Sequence, residues 1–413
     1  MAGLNRLTRV QIRRSAFIAA ALIGFISPGG SSISQRIVEV NGLSENRVEG
    51  LSKARLLAAA RAGGDYLLRM QRRDGSFVYS YDPITDHAGS RNNIVRHAGA
   101  AFALLDLYGA THDRRFLASG KKAVAFLRTR FRSRMAPKTL DHRVIYVLDF
   151  DGKAKLGANG LTLIALTRLI EFESNSNLLS DSKALARMIL TMQREDGRFE
   201  SYYRLHGDEP TGDVSLYYPG EAMLGLIRLY RINGDLRLLD AARRGADYLI
   251  ASQKQMNQPP PDAWFSQALE ALYGIDPKAA YADHAVALAE AMMAGQYVDS
   301  PDEYRGGFGP GVPRATPAAS RAEGMLAAFR VAVSRNDPRA AGILEAIALS
   351  LRFQLSQQFT GATASPLKRP SRALGGFRES PIEARIRIDF VQHNVCSLLG
   401  AASDKVARFA GYD

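Results

Sequence analysis

Tyr217-Tyr218-Pro219-Gly220-Glu221-Ala222 introduces an apolar run that continues through Met223, Leu224, Leu226, Ile227, Leu229 and Tyr230. Proline is tolerated in a first helical turn, where no N–H partner is needed, so Glu221 falls in the opening turn of a helix, at its positive end. A carboxylate placed there is either a cap or a working acid. Burial raises the pKa of such a group while the helix end and nearby arginines lower it, which is how a carboxyl is tuned toward neutrality for acid–base work.

Five other apolar runs also begin with polar or ring-bearing residues. Arg96-His97 opens the first, and a guanidinium fork beside an imidazole suits recognition of a carboxylate or phosphate. Asp149-Phe150-Asp151 precedes the second, which runs through Lys155 and Asn159; one aspartate is expected at a cleft and the other in a turn, with Asp151 the candidate partner of Glu221. Trp264 and Gln267 follow Asp262 at the start of another run, and Trp264, Tyr217 and Tyr218 read either as platforms for sugar faces or as packing residues. Arg321 and Glu323 open a further run. In the last, Asp389, Gln392 and His393 share one helical face, Asp389 as acid or N-cap and His393 as proton shuttle, sugar ligand or core histidine. The expected catalytic set is therefore Glu221, Asp151, Asp389 and His393. The expected substrate contacts are Arg96, His97, Asn159, Tyr217, Tyr218, Trp264, Gln267, Arg321, Glu323 and Gln392. The chain has no phosphate loop, no His-Glu-x-x-His, no Gly-x-Ser-x-Gly and no Cys/His cluster, so neither metal nor cofactor is expected.

The elements that must hold these residues come from an internal repeat. Met70-Gln71-Arg72-Arg73-Asp74-Gly75-Ser76-Phe77 is echoed by Met192-Gln193-Arg194-Glu195-Asp196-Gly197-Arg198-Phe199; a third copy begins Arg244 to Gln253 and diverges, and Gly306-Gly307-Phe308 and Gly375-Gly376-Phe377 keep the exit alone. Each unit pairs an amphipathic helix, half-solvated and outer, with a more continuously apolar inner helix. Outer helices are predicted near 51–72, 115–133, 181–194, 236–255, 278–295 and 338–358. Inner helices are predicted near 93–109, 157–172, 219–232, 262–273, 319–334 and 389–402, with a strand-like stretch at 143–148 and rim loops at 297–318 and 359–388. A two-helix unit cannot bury both faces alone, so six units are expected to close into a double ring, with Gly99, Ala100, Gly160, Gly225 and Gly324 letting inner helices approach closely.

Six outer-inner units with Gln-x-x-Asp-Gly-x-Phe turns resemble the (α/α)6 toroids, a superfamily holding six-hairpin glycosidases, polysaccharide lyases, epimerases, and the terpenoid cyclase and prenyltransferase group. The resemblance covers about residues 50 to 404. It implies an all-α barrel with its site at the mouth where the inner helices start, and an enzyme acting on a polysaccharide. The expected activity is glycoside hydrolysis of an acidic polymer by carboxylates. A uronate lyase or epimerase in the same cleft, or a non-catalytic glycan-binding or polymer-assembly protein, are the alternatives. A zinc prenyltransferase would need a cysteine ligand set that His393 and Cys396 alone do not supply.

Composition sets the outer limits. The 413 residues, 46% hydrophobic and 23% charged, suffice for a large core. Arg6, Arg9, Arg13 and Arg14 precede the apolar run Ala16 to Ile26, and Ser27-Pro28-Gly29-Gly30 follows, the pattern of an export signal; if uncleaved, residues 12–27 would anchor the chain to a membrane. The expected layout is a leader at 1–35, a linker at 36–50, the toroid at 51–404 and a tail at 405–413, in a periplasmic, secreted or inner-membrane-anchored protein. Cys396 is the single cysteine, so no intrachain disulfide forms. The net charge of +13 stays basic without the leader arginines, and export turns that charge toward anionic glycans rather than nucleic acid.

Overall fold

The computed structural model describes residues 50–135, 143–205, 209–212, 215–403, 406–407 and 410–411. The expected leader, nearly all of the linker and much of the C-terminal tail lie outside them. Among the described residues, no helix is long and apolar enough to cross a membrane.

Among the described residues, twelve helices of eleven or more residues carry the fold, and they alternate outer and inner as the repeat requires. The outer ones are α1 (Lys53–Met70), α3 (Arg114–Thr129), α5 (Ser176–Thr191), α7 (Leu236–Gln253), α9 (Ala279–Met293) and α11 (Ala340–Ser356). The inner ones are α2 (Ile94–Thr111), α4 (Leu156–Phe172), α6 (Tyr218–Asn233), α8 (Ala263–Tyr273), α10 (Ala315–Ser334) and α12 (Ile388–Ala401). Inner helices are enclosed on nearly every side; α4 is buried without a break from Leu156 to Thr167. Outer helices bury one stripe, in α1 Leu56, Ala60, Gly63, Leu67 and Met70.

Each inner helix packs on the next, and α12 packs on α2, so the ring closes. Small residues make the close approach possible. A Cβ at Gly160 would stand 2.9 Å from the backbone of Glu221 and Ala222, and one at Gly324 would stand 2.7 Å from the Cα of Ala263. The outer helices follow a rule the sequence reading did not anticipate. α3, α5, α7 and α11 lie chiefly against the inner helix that precedes them, α9 is shared by α8 and α10, and α1 lies chiefly against α12.

Three of the five inner-to-outer turns reuse one device: a left-handed residue, then an aspartate that accepts from the backbone N–H two residues on and pairs with that residue's guanidinium. His112-Asp113 with Arg115, Gly234-Asp235 with Arg237, and Asn336-Asp337 with Arg339 are its three copies. Four of the six outer-to-inner connections are held by glutamine. Gln71 Nε2 donates to Gly75 O and Ser119 O at 3.1 and 3.0 Å, and Gln193 Nε2 to Gly197 O and Ala241 O at 3.0 and 2.8 Å. Gln296 and Gln358 do the same to Gly306 and Ala346, and to Gly375 and Ala59. The two later segments thus keep the glutamine as well as the Gly-Phe exit, separated by longer insertions. In the divergent third copy, Gln253 instead meets His284 Nε2 at 2.8 Å.

Short strands decorate the rim. β1 (Ser80–Asp82) pairs with β2 (His87–Ala88), and the expected strand at 143–148 appears as β4 (Arg143–Val147), antiparallel to β3 (Phe131–Met135). β5 (Ala154–Lys155), β6 (Tyr202–Arg204) and β7 (Glu209–Pro210) form a third small sheet. The stretch 359–388, expected as a rim loop, instead ends in β8 (Arg378–Ser380) and β9 (Glu383–Arg387), and β9 pairs with β1. α10 begins at Ala315, a turn earlier than expected, with Pro317 inside its first turn, where a missing N–H costs nothing.

Candidate active site

The starts of inner helices α2, α6, α8, α10 and α12 converge on a cavity of about 500 Å³. Of the expected residues, Arg96, Tyr217, Tyr218, Glu221, Trp264, Arg321, Asp389, Gln392 and His393 line it. The stretch before α10 supplies a wall with Phe308, Pro310 and Arg314, and β9 supplies Arg387.

Glu221 lies in the first turn of α6, buried, with Oε2 free of any hydrogen bond. Burial, and then the nearby Asp262, push its pKa up to about 8, so it carries a proton at neutral pH. Tyr218, packed edge-on against Tyr202, has its phenol pushed up by burial, while Tyr217 stands half exposed at the rim.

His393 and Glu323 form a hydrogen-bonded pair. His393 Nδ1 lies 2.8 Å from Glu323 Oε1, and the Trp264 ring meets the imidazole edge-on with centroids 6.1 Å apart. Burial alone would lower the His393 pKa; the facing Glu323 reverses the sign and holds it above its ordinary value. With Nδ1 engaged, Nε2 is the nitrogen left for the cavity. Gln392 packs beside it, its oxygen fitted against Gly99, and Gln267 braces Glu323 from the axial side, away from the mouth cavity.

Asp389 is clamped. Arg387 binds it through Nε and Nη2 at 2.6 and 2.9 Å, and Arg96 Nε approaches at 3.1 Å from across the α2–α12 contact. It is not the N-cap of α12, a position that Arg387 occupies. By contrast, no carboxylate among the described residues pairs with Arg314 or Arg321. Arg321 lies over the Phe308 ring at 4.8 Å.

Three expectations are corrected. His97 is a core histidine: Phe77 N donates to its Nδ1, Asn92 Oδ1 meets its Nε2, and Phe77, Phe126 and Phe150 surround the ring. Burial pulls its pKa down to about 4. Asp151 is a half-exposed turn residue that pairs with Lys155 at 2.7 Å outside the cavity, while its neighbour Asp149 accepts from Ile94 N at the start of α2 and pairs with Lys155 at 2.5 Å. Asn159 accepts from Val147 N and so ties β4 to α4 rather than facing substrate.

Sequence reasoning missed Arg387, Arg314 and Phe308. The alternation Glu383-Ala384-Arg385-Ile386-Arg387-Ile388 was a readable strand signal that delivers Arg387 to the mouth. Nothing comparable marks Arg314, which reaches the cavity because the stretch before α10 folds across it.

The chain has the (α/α)6 barrel fold. It superposes on cellobiose 2-epimerase from Bacillus thermoamylovorans with a TM-score of 0.62 at 13% identity, covering 90% of this chain and 99% of that one. A D-mannose isomerase gives 0.63 at 12% identity, covering 84% and 97%. An inactive variant of the α-1,6-mannanase GH76A of Salegentibacter sp., in complex with α-1,6-mannotriose, gives 0.57 at 13%, covering 84% and 99%. No protein-family model matches the sequence, and no curated protein matches it.

Proposed function

We propose that this chain is a carbohydrate-active enzyme that moves protons on an acidic sugar, acting as a uronate epimerase or lyase. The carrying observation is the composition of one cavity: a buried carboxyl in Glu221 with an unpartnered oxygen, an imidazole in His393 held by Glu323, and two arginines that no carboxylate among the described residues pairs with. Arg314 and Arg321 neutralise the substrate carboxylate, which acidifies the adjacent C–H. His393 Nε2 takes that proton. In elimination, the electron pair forms the new C=C bond, the C–O bond to the leaving sugar breaks, and Glu221 gives its proton to the departing oxygen. In epimerisation, Glu221 returns a proton to the opposite face of the same carbon. The mannanase and epimerase likenesses support a sugar as substrate, and the leader reading supports action in the periplasm or outside the cell.

Hydrolysis is the second reading, favoured by Glu221, since a carboxyl that keeps its proton at neutral pH suits protonation of a glycosidic oxygen. It ranks lower because Asp389 is occupied by two guanidiniums and Asp151 lies outside the cavity, which leaves the second carboxylate unfilled among the expected residues. The test is incubation with acidic oligosaccharides in deuterated water. Deuterium gained at the carbon beside the carboxylate, or unsaturated ends, supports the proposal. New reducing ends without either signal replace it with hydrolysis, and binding without any product replaces it with a glycan-binding role.

A further inference from the structure

Asp262 belongs to no step above, yet it is buried more completely than any acid in the cavity wall. It caps α8: Oδ1 accepts from Trp264 N at 3.0 Å and Phe265 N at 3.1 Å. Its other oxygen, Oδ2, is buried with no hydrogen-bond partner, as is Glu221 Oε2 on the neighbouring helix. Two buried carboxyl oxygens without hydrogen-bond partners cost free energy unless something offsets it.

The backbone holds the two acids close. A Cβ at Gly220 would stand 2.5 Å from Phe265 N, so the first turns of α6 and α8 touch where these acids sit. On the far side, Gly157 of α4 leaves room for the Glu221 carboxyl, since a Cβ there would lie 2.4 Å from Oε2. That face of α4 brings no charge. Tyr218 shares the helix with Glu221, and Arg96, Arg321 and His393 line the same cavity from α2, α10 and α12, but Asp262 is the charged neighbour whose field acts on Glu221.

We infer that Asp262 and Glu221 form an electrostatically coupled carboxyl pair, with Asp262 the positioning residue that keeps Glu221 protonated for donation into the cavity. Like charges so placed do not both ionise readily, and the couple loses its protons in two steps that belong to the pair. Burial pushes Asp262 up to about 7, against the pull of its two backbone N–H donors, in keeping with that arrangement. Asp262 does not line the cavity and so acts only through Glu221. The inference rests on the proposed role of Glu221 as an acid, but its test needs no sugar.

The full chain, labelled with carbonyl ¹³C in Asp and Glu side chains, is titrated by NMR alongside Asp262→Asn and Glu221→Gln. Asparagine keeps an oxygen for the Trp264 and Phe265 N–H groups, so the α8 cap survives. The wild type is expected to show two coupled carboxyl steps above pH 6. In Asp262→Asn the Glu221 step moves down by about one pH unit or more, the coupling expected of such pairs. In Glu221→Gln the Asp262 step moves down likewise, which keeps the test open if the first variant folds poorly. A Glu221 step unchanged in Asp262→Asn, an Asp262 step unchanged in Glu221→Gln, or no wild-type carboxyl titrating above pH 6 overturns the couple. A shift confirmed in protein that turns over no acidic sugar leaves the couple standing and removes the proposed reaction instead.

Discussion

Glu323 reaches across from α10 to hold the Nδ1 of His393 on α12 at 2.8 Å, two side chains separated by seventy positions in the chain and brought together only by closure of the inner ring. The contact fixes which imidazole nitrogen faces the cavity, and it sets the charge the ring carries.

Replacing Glu323 with Gln removes the anion that raises His393 and leaves burial, which lowers it. The imidazole is expected to titrate at a lower pH in Glu323→Gln, read from its ring proton shifts. His393→Ala, which deletes the base, is expected to lower turnover of an acidic oligosaccharide by about 100-fold or more with the far-ultraviolet circular dichroism unchanged.

Glu221 gives a stability prediction independent of substrate. Its folded pKa of about 8 exceeds the ordinary value near 4.3, so between those limits the folded state holds a proton that the unfolded state has lost. Its contribution is fully present below about pH 4 and is lost as pH rises toward 8, by about 1.4 kcal/mol per unit. Glu221→Gln removes that slope. Relative to wild type it should gain in denaturant midpoint as pH rises from 5 to 8, with the difference vanishing near pH 4.

Arg314 and Arg321 are expected to bind the acidic group of the substrate. Alanine at either is predicted to weaken an anionic oligosaccharide about tenfold and to leave a neutral one of the same length unaffected, by calorimetry at two salt concentrations. Equal losses for both ligands would remove these arginines from charge recognition.

The glycines of the glutamine-held turns answer to geometry alone. Gly75 and Gly375 have φ of 89° and 80°, and an added Cβ would fall 2.2 Å from Lys122 O and 2.1 Å from Ala62 O, both on the adjoining outer helix. Alanine at either position is predicted to cost about 2 kcal/mol or more, seen as a lowered midpoint in urea unfolding.

The ring was legible because each helix carries its own period and the Gln-Asp-Gly-Phe turns recur; α2, α4, α6, α8 and α12 start within one residue of the expected positions. Convergence of the inner starts followed from that, and so Glu221, His393 and Arg96 were placed together. The errors share a cause. His97 shares the start of α2 with Arg96, and Asp151 and Asn159 lie at the start of α4, but which way a side chain turns there depends on rim strands and on the phenylalanines around His97, which no periodicity encodes. The Asp-x-Arg turns at Asp113, Asp235 and Asp337 are also written in the sequence, but a three-residue signal is too short to stand out beside the longer Gln-Asp-Gly-Phe connection.

The seating of α1 on α12 has a consequence for how the molecule comes into being. Gln358 donates to Ala59 O across 299 positions, and α1 finds its main partner only once α12 has been made. Until then the stripe of α1 around Gly63 lacks the cover that Val391 and Val395 give it. Cutting the chain at an exposed inner-to-outer turn and joining the end of α12 to the start of α1 by a linker would move that seam, and the order in which the segments emerge would then decide which part of the barrel waits longest for shelter.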